Sequence, residues 1–186
     1  MSEIRSGYIT RGRIVPSQNG SHYLIQAKDV DGSRFCYETK QLIRFHPNLS
    51  RTDRLLKKGD LLFMARGAHH FTIQLSELSG PTLAAACFFV IRIAMDGLLP
   101  GYICWYMNQE PVMHYLLRNS GRGVHMPVVR RAVLENVEIP VPPMHIQVKV
   151  ADIDTLLHKE LNLIQQLGQK RQALISAACL QTVRHY

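Results

Sequence analysis

Three prolines in four positions, Pro140, Pro142 and Pro143 within VEIPVPPMHIQVKVADIDTLL (Val137–Leu157), constrain this chain more than any other feature. Proline holds φ at about −65° and pushes the preceding residue towards extended geometry, so IPVPP is a stiff connector that neither continues a sheet nor lies inside a helix. Beyond it, from Met144 to about Thr182, there is no proline and one glycine, Gly168. That stretch reads as a single helix. A seam with alternating spacings of four and three runs Ile146, Val150, Ile153, Leu157, Glu160, Ile164, Leu167, Arg171, Leu174, Ala178. Apolar residues repeating in this way over more than four heptads form the coiled-coil pattern. Such a helix extends roughly 58 Å. A domain of about 140 residues has a radius of gyration of roughly 14 Å and cannot cover that length. Leu156 and Leu163 add a second apolar stripe, so more than one neighbour can touch the helix. The simpler alternative is a C-terminal helix folded back on its own core.

The sequence before the prolines is long enough for one folded body, giving residues 1–140 as a domain and 141–186 as connector and helix. At 46% hydrophobic the chain can build a core. The body carries 17 Lys and Arg against 11 Asp and Glu, a surplus of six. A basic body suits a polyanionic partner, nucleic acid first and an anionic membrane surface second. The four cysteines, Cys36, Cys87, Cys104 and Cys179, form no C-x-x-C pair. They read as reduced thiols of a cytoplasmic protein rather than zinc ligands. MSEIRSGYITRGR has no apolar signal core. LAAACFFVIRIAM (Leu83–Met95) contains Arg92 and is too short to span a bilayer, which takes about 20 residues. It reads as a buried strand, so no membrane partner is expected.

The body begins β-rich. GYITRGRIV (Gly7–Val15) and HYLIQAKDV (His22–Val30) flank a turn at Pro16–Gly20, and Asp31-Gly32 turns into another short strand. Gly59-Asp60 is a turn before the strand LLFMA, His69–Leu75 reads as the next strand, and TLAAACFFVIRI as a central one. After Pro100, GYICWYMNQ and PVMHYLLRNS carry apolar residues at helical spacing, with Pro111 suited to a first helical turn. The class is α+β: a small mixed, β-rich body followed by a long C-terminal coiled-coil helix.

In this order, LLKKGDLLFMARG (Leu55–Gly67), AAACFFVIRI, PGYICWYMNQEPVMHYLLRNSGRG (Pro100–Gly123), LENVEIPVPPMHIQ (Leu134–Gln147) and a long helix, the chain resembles the specificity subunit of type I restriction–modification enzymes over roughly residues 7–182. The resemblance implies a target-recognition domain joined to a spacer helix. Family members usually carry two such units, whose helices pack antiparallel and set the distance between the halves of a split DNA target. It also implies a subunit without catalysis or cofactor that directs an adenine methyltransferase subunit and a motor-nuclease subunit. This chain has one unit, so it pairs with itself, pairs with a second half-subunit, or is a fragment.

DNA reading needs Arg and Lys for phosphates and Arg, Lys, Asn, Gln or His for base edges. ARGAHH offers Arg66, His69 and His70, with Gln74 beyond. RNSGRGVH offers Arg118, Asn119, Arg122 and His125, with glycines that let backbone approach a phosphate. Lys57 and Lys58, and Arg130 and Arg131, are candidates for the DNA backbone, although Lys57-Lys58 also suits a blunted strand edge. Adjacent histidines on a strand face opposite ways and no nearby carboxylate completes a site, so no metal is expected. A nuclease reading takes Glu38-x-Lys40 with Asp29 or Asp31 upstream. A third reading is an oligomerisation adaptor that binds protein only. For dimerisation, the seam residues Ile153, Leu157, Glu160, Ile164, Leu167, Arg171 and Leu174 predict an antiparallel homodimer, since Glu160 then faces Arg171 of the partner.

Overall fold

The computed structural model of the chain describes residues 3–10, 12–32, 36–37, 42–48, 54–120 and 127–184. The chain divides into two compact units, Met1–Ala151 and Asp152–Tyr186. Nine short strands and four helices occur among the described residues: β1 (Glu3–Ser6), β2 (His22–Ile25), β3 (Val30–Asp31), β4 (Cys36–Tyr37), β5 (Ile43–Phe45), β6 (Leu61–Met64), β7 (Thr72–Gln74), β8 (Thr82–Ala84), β9 (Phe88–Arg92), α1 (Pro100–Met107), α2 (Glu110–Asn119), α3 (Arg131–Glu135) and α4 (Met144–Arg184).

An antiparallel sheet of order β1-β9-β6-β7 forms the centre of the first unit. The run LLFM of β6 is buried throughout, as a strand covered on both faces requires. Successive side chains alternate across the sheet. Leu61 and Phe63 therefore enter a core with Tyr102, Ile103 and Met107 of α1, Val112 and Leu116 of α2, and Leu134 of α3. Leu62 and Met64 enter a second core with Ile25, Ile73, Ala84 and Phe88. That core is closed by a smaller sheet of order β5-β2-β8, in which β2 and β8 run parallel. Each fully buried side chain of this kind stabilises the fold by roughly 1.5–3 kcal/mol. Pro100 and Pro111 sit in the first turns of α1 and α2, where a missing N–H costs nothing.

The expected central strand TLAAACFFVIRI is instead two strands in two sheets, β8 and β9, broken at Ala85–Cys87. The small side chains there admit another backbone. Tyr8 N–H donates to the Ala84 carbonyl at 2.7 Å, and a Cβ on Gly7 would lie 2.1 Å from the Ala85 carbonyl oxygen. The expected strand at Gly7–Val15 shrinks, among its described residues, to one bridge from Tyr8 to Ala85. The edge strand is β1, which pairs Ile4 with Ile91. HYLIQAKDV forms β2, then a 3-10 turn at Ala27–Asp29, then β3.

The proline connector is held in place by hydrogen bonds. The Tyr102 hydroxyl donates to the Pro140 carbonyl at 2.9 Å. Burial raises the Tyr102 pKa above that of a free tyrosine, which keeps the donor protonated. Gln147, three residues into α4, is wholly buried. Its Nε2 donates to the carbonyls of Gly97 and Pro142, both at 2.8 Å, and its Oε1 accepts from Leu99 N–H at 2.9 Å. The side chain thus joins the β9–α1 connection, the connector and the first turn of α4. Within Met144–Ala151 the buried residues are Gln147 and Ala151, with Val150 against the first core. Ile146 and Val150 therefore belong to the part of the helix in the first unit, and the exposed seam begins at Ile153.

Candidate nucleic-acid interface

β6 separates two groups of basic and polar residues. At its start, the Lys57–Asp60 turn needs Gly59 at φ +89°, a conformation that favours glycine. Asp60 accepts from Lys57 N–H at 2.8 Å, and Arg92 donates to both its carboxylate oxygens at 2.7 Å. Arg92 and Arg5 also both donate to the Leu55 carbonyl. The hydrogen bonds to Asp60 push the Arg92 guanidinium above its ordinary pKa, so its charge is fixed. These two arginines bind the fold itself, whereas Lys57 and Lys58 are exposed. Gln74, paired with Leu61, lies at the same end beside Gly101 of α1.

Past the other end of β6, four residues and roughly 13 Å of rise away, lies Arg66. The N–H groups of Ala65 and Arg66 donate to the Cys87 carbonyl, and the Val129 N–H donates to the Ala65 carbonyl at 3.0 Å. Arg66 also bridges to Val128. The ARGAHH loop and the chain returning from RNSGRGVH are therefore neighbours. Arg66 and His69 are exposed. His70 Nδ1 lies 2.8 Å from the Met64 carbonyl, and its ring stacks on Phe63 at 6.0 Å. A carbonyl only accepts, so Nδ1 carries the proton and the histidine ties the loop to the end of β6. Arg118 and Asn119 are exposed at the end of α2, with the Asn119 amide donating to the Tyr115 carbonyl. Arg122 and His125 lie outside the described residues. The structure thus brings Ala65 and Arg66 beside Val128 and Val129, and sets Lys57, Lys58 and Gln74 at the other end of β6.

A cleft of about 480 Å³ opens beside this loop, between the end of β3 and the α1–α2 corner. Phe71 and Met113 give it apolar walls, and His69, His70, Asp31 and Asn108 give it polar ones. Asn108 was not among the sequence candidates. Its Oδ1 accepts from Thr72 N–H and its Nδ2 donates to the Thr72 carbonyl, both at 2.8 Å. The amide therefore satisfies a backbone pair on the edge strand β7 and fixes the corner against it. Gln147 was missed as well. In each case the only local signal is an amide side chain at the end of an apolar helix or beside prolines. Of the nuclease inventory, Asp29 is buried and accepts from Gln26 N–H at 2.8 Å, a capping role. Glu38 and Lys40 lie outside the described residues.

The fold class so defined is an α+β body of two larger packed sheets, a two-stranded β3-β4 ladder and a helical corner, joined through prolines to one long helix. It is the fold of a solved HsdS subunit from Thermoanaerobacter tengcongensis, which the chain matches with a TM-score of 0.61 and 17% identity over 89% of its own length. The match covers 44% of that subunit, so the chain spans less than half of it. No protein-family model and no curated protein matches the sequence. Among the described residues no helix is long and apolar enough to cross a membrane.

Proposed function

We propose that the chain is a cytoplasmic, non-catalytic DNA-recognition subunit of a type I restriction–modification system. It directs an adenine methyltransferase subunit and a motor-nuclease subunit to a split target in double-stranded DNA. The observation that carries this reading is the bridge between Arg66 and Val128 at one end of β6, in a basic body with the HsdS fold. In this reading Arg66, His69 and the segment from Arg118 to His125 meet DNA, and Lys57 and Lys58 are secondary phosphate contacts. The test is a mobility-shift titration at two salt concentrations, with methylated adenines mapped after co-expression with the cognate methyltransferase. Binding that weakens steeply with salt is expected, because each phosphate contact releases counterions. Binding of protein only, with no affinity for DNA at low salt, would favour the adaptor reading.

Replacing Arg66 with alanine leaves the fold intact, since the side chain is exposed. If Arg66 reads a base, the variant loses about 1–3 kcal/mol of affinity and relaxes specificity at one position. If it clamps a phosphate, all sequences weaken alike and the salt slope falls by about one. Unchanged affinity for every sequence removes the loop from the interface.

For the helix we propose an antiparallel homodimer. Ile153, Leu157, Ile164, Leu167 and Leu174 are all about half exposed or more. Setting Glu160 opposite the partner's Arg171 also sets Leu157 opposite Leu174, Ile164 opposite Leu167 and Ile153 opposite Ala178. Two-fold symmetry repeats the charge pair. A parallel pair would stack like charges instead. Glu160→Arg is expected to weaken the dimer about tenfold, and the added Arg171→Glu to restore it, read by sedimentation equilibrium. A double variant no tighter than the single one would reject this register.

A further inference from the structure

Gly168 sits in the interior of a 41-residue helix, where alanine is the better helix former. Nothing lies within 4 Å of a Cβ built on it, and its φ is not positive. No turn and no contact with a described residue of the chain calls for a glycine there. Around it stand Leu161, Ile164 and Leu167, 50%, 58% and 68% exposed.

We infer that Gly168 is the point where the helix of a second copy comes closest, with the partner's Leu161 seated against it. The inference rests on the antiparallel pairing proposed above and adds a specific contact to it. When Glu160 faces the partner's Arg171, the seam is formed by residues 153, 157, 160, 164, 167, 171 and 174. Leu161 and Gly168 each follow a seam residue by four positions, at Leu157 and Ile164, so both lie on the same flank of that seam. In an antiparallel pair this flank meets its own symmetry mate. Leu161 of one helix then lies beside Gly168 of the other, and the pair occurs twice. A leucine needs a hole to enter, and a residue without a side chain supplies one. Glu160 and Arg171, of opposite sign, make the antiparallel seam complementary to itself, and that self-complementarity is the argument for a second copy as occupant.

The experiment is sedimentation equilibrium on the full chain and on three variants, with helicity followed by circular dichroism. Gly168→Ala is expected to raise helicity and to weaken the dimer about tenfold, as a methyl group forced into a packed contact does. Leu161→Ala alone is expected to weaken it by loss of packing. Gly168→Ala with Leu161→Ala is expected to be tighter than the Gly168→Ala single variant, because the new methyl group fills the space the leucine left. If Gly168→Ala dimerises as tightly as the parent chain or more so, the contact is rejected and the pairing stands. A parent chain that stays monomeric at high concentration rejects both.

Discussion

Gln147→Glu is expected to unfold at much lower denaturant than the parent chain at neutral pH, although the two side chains have nearly the same shape. The amide nitrogen of Gln147 donates to two carbonyls, those of Gly97 and Pro142, and the site is wholly buried. A carboxylate there faces two acceptors, the Gly97 and Pro142 carbonyls, with no donor of its own. Leaving buried polar groups unmatched costs about 1–3 kcal/mol each, and more for a charge. The expected loss is therefore about 3–5 kcal/mol. Burial raises the folded-state pKa of the new carboxyl above its unfolded value. The destabilisation is then largest above the folded pKa and shrinks as pH falls below it, because the protonated carboxyl recovers one donor. Gln147→Ala should cost roughly 2–4 kcal/mol with no such pH dependence. Urea titrations of both variants at pH 5 and pH 8 check this. Equal losses at the two pH values would mean that the glutamate side chain has left the pocket.

Asp60→Ala is expected to lose about 3 kcal/mol of stability. The carboxylate is almost wholly buried and serves three donors, Lys57 N–H and two groups of Arg92. Removing it frees the Lys57–Asp60 turn and leaves the guanidinium with only the Leu55 carbonyl among these partners. Breaking a buried pair by deleting one member typically costs about 3–5 kcal/mol. The low end applies because the Arg92 side chain is 22% exposed and water can reach it. Asp60→Asn keeps one acceptor for the turn and should fall between the parent and the alanine variant. A loss under about 1 kcal/mol for Asp60→Ala would show that the arginine finds equivalent partners.

Much of the frame was legible because it is written locally. The prolines at 140, 142 and 143, the glycine of the Lys57–Asp60 turn, and Pro111 opening α2 each act within a few residues, and each reading agrees with the structure. The break between β8 and β9 was hidden, because the reason for it is the backbone of residues 7 and 8 crossing from the start of the chain. Gln147 and Asn108 were hidden for the same reason: their partners lie 36 to 50 residues away, Pro142 and Cys104 excepted. The candidate loops were chosen for composition alone. Composition does not say which strand end a loop occupies. Lys57 and Arg66, nine positions apart in sequence, therefore fall at opposite ends of β6, while Arg66 and Val128 meet.

β6 carries its stabilising clamp and its candidate reading loop at opposite ends, with two cores gripping the strand between them. On the proposed reading, the residues that choose a target and the residues that keep the body folded are different sets. On that reading, substitutions at Arg66 or His69 would alter recognition without touching Asp60, Arg92 or Gln147. The repertoire of targets open to such a body is then limited by loop chemistry and not by its tolerance of mutation. New preferences can accumulate by drift at one rim while the thermal stability of the whole stays constant.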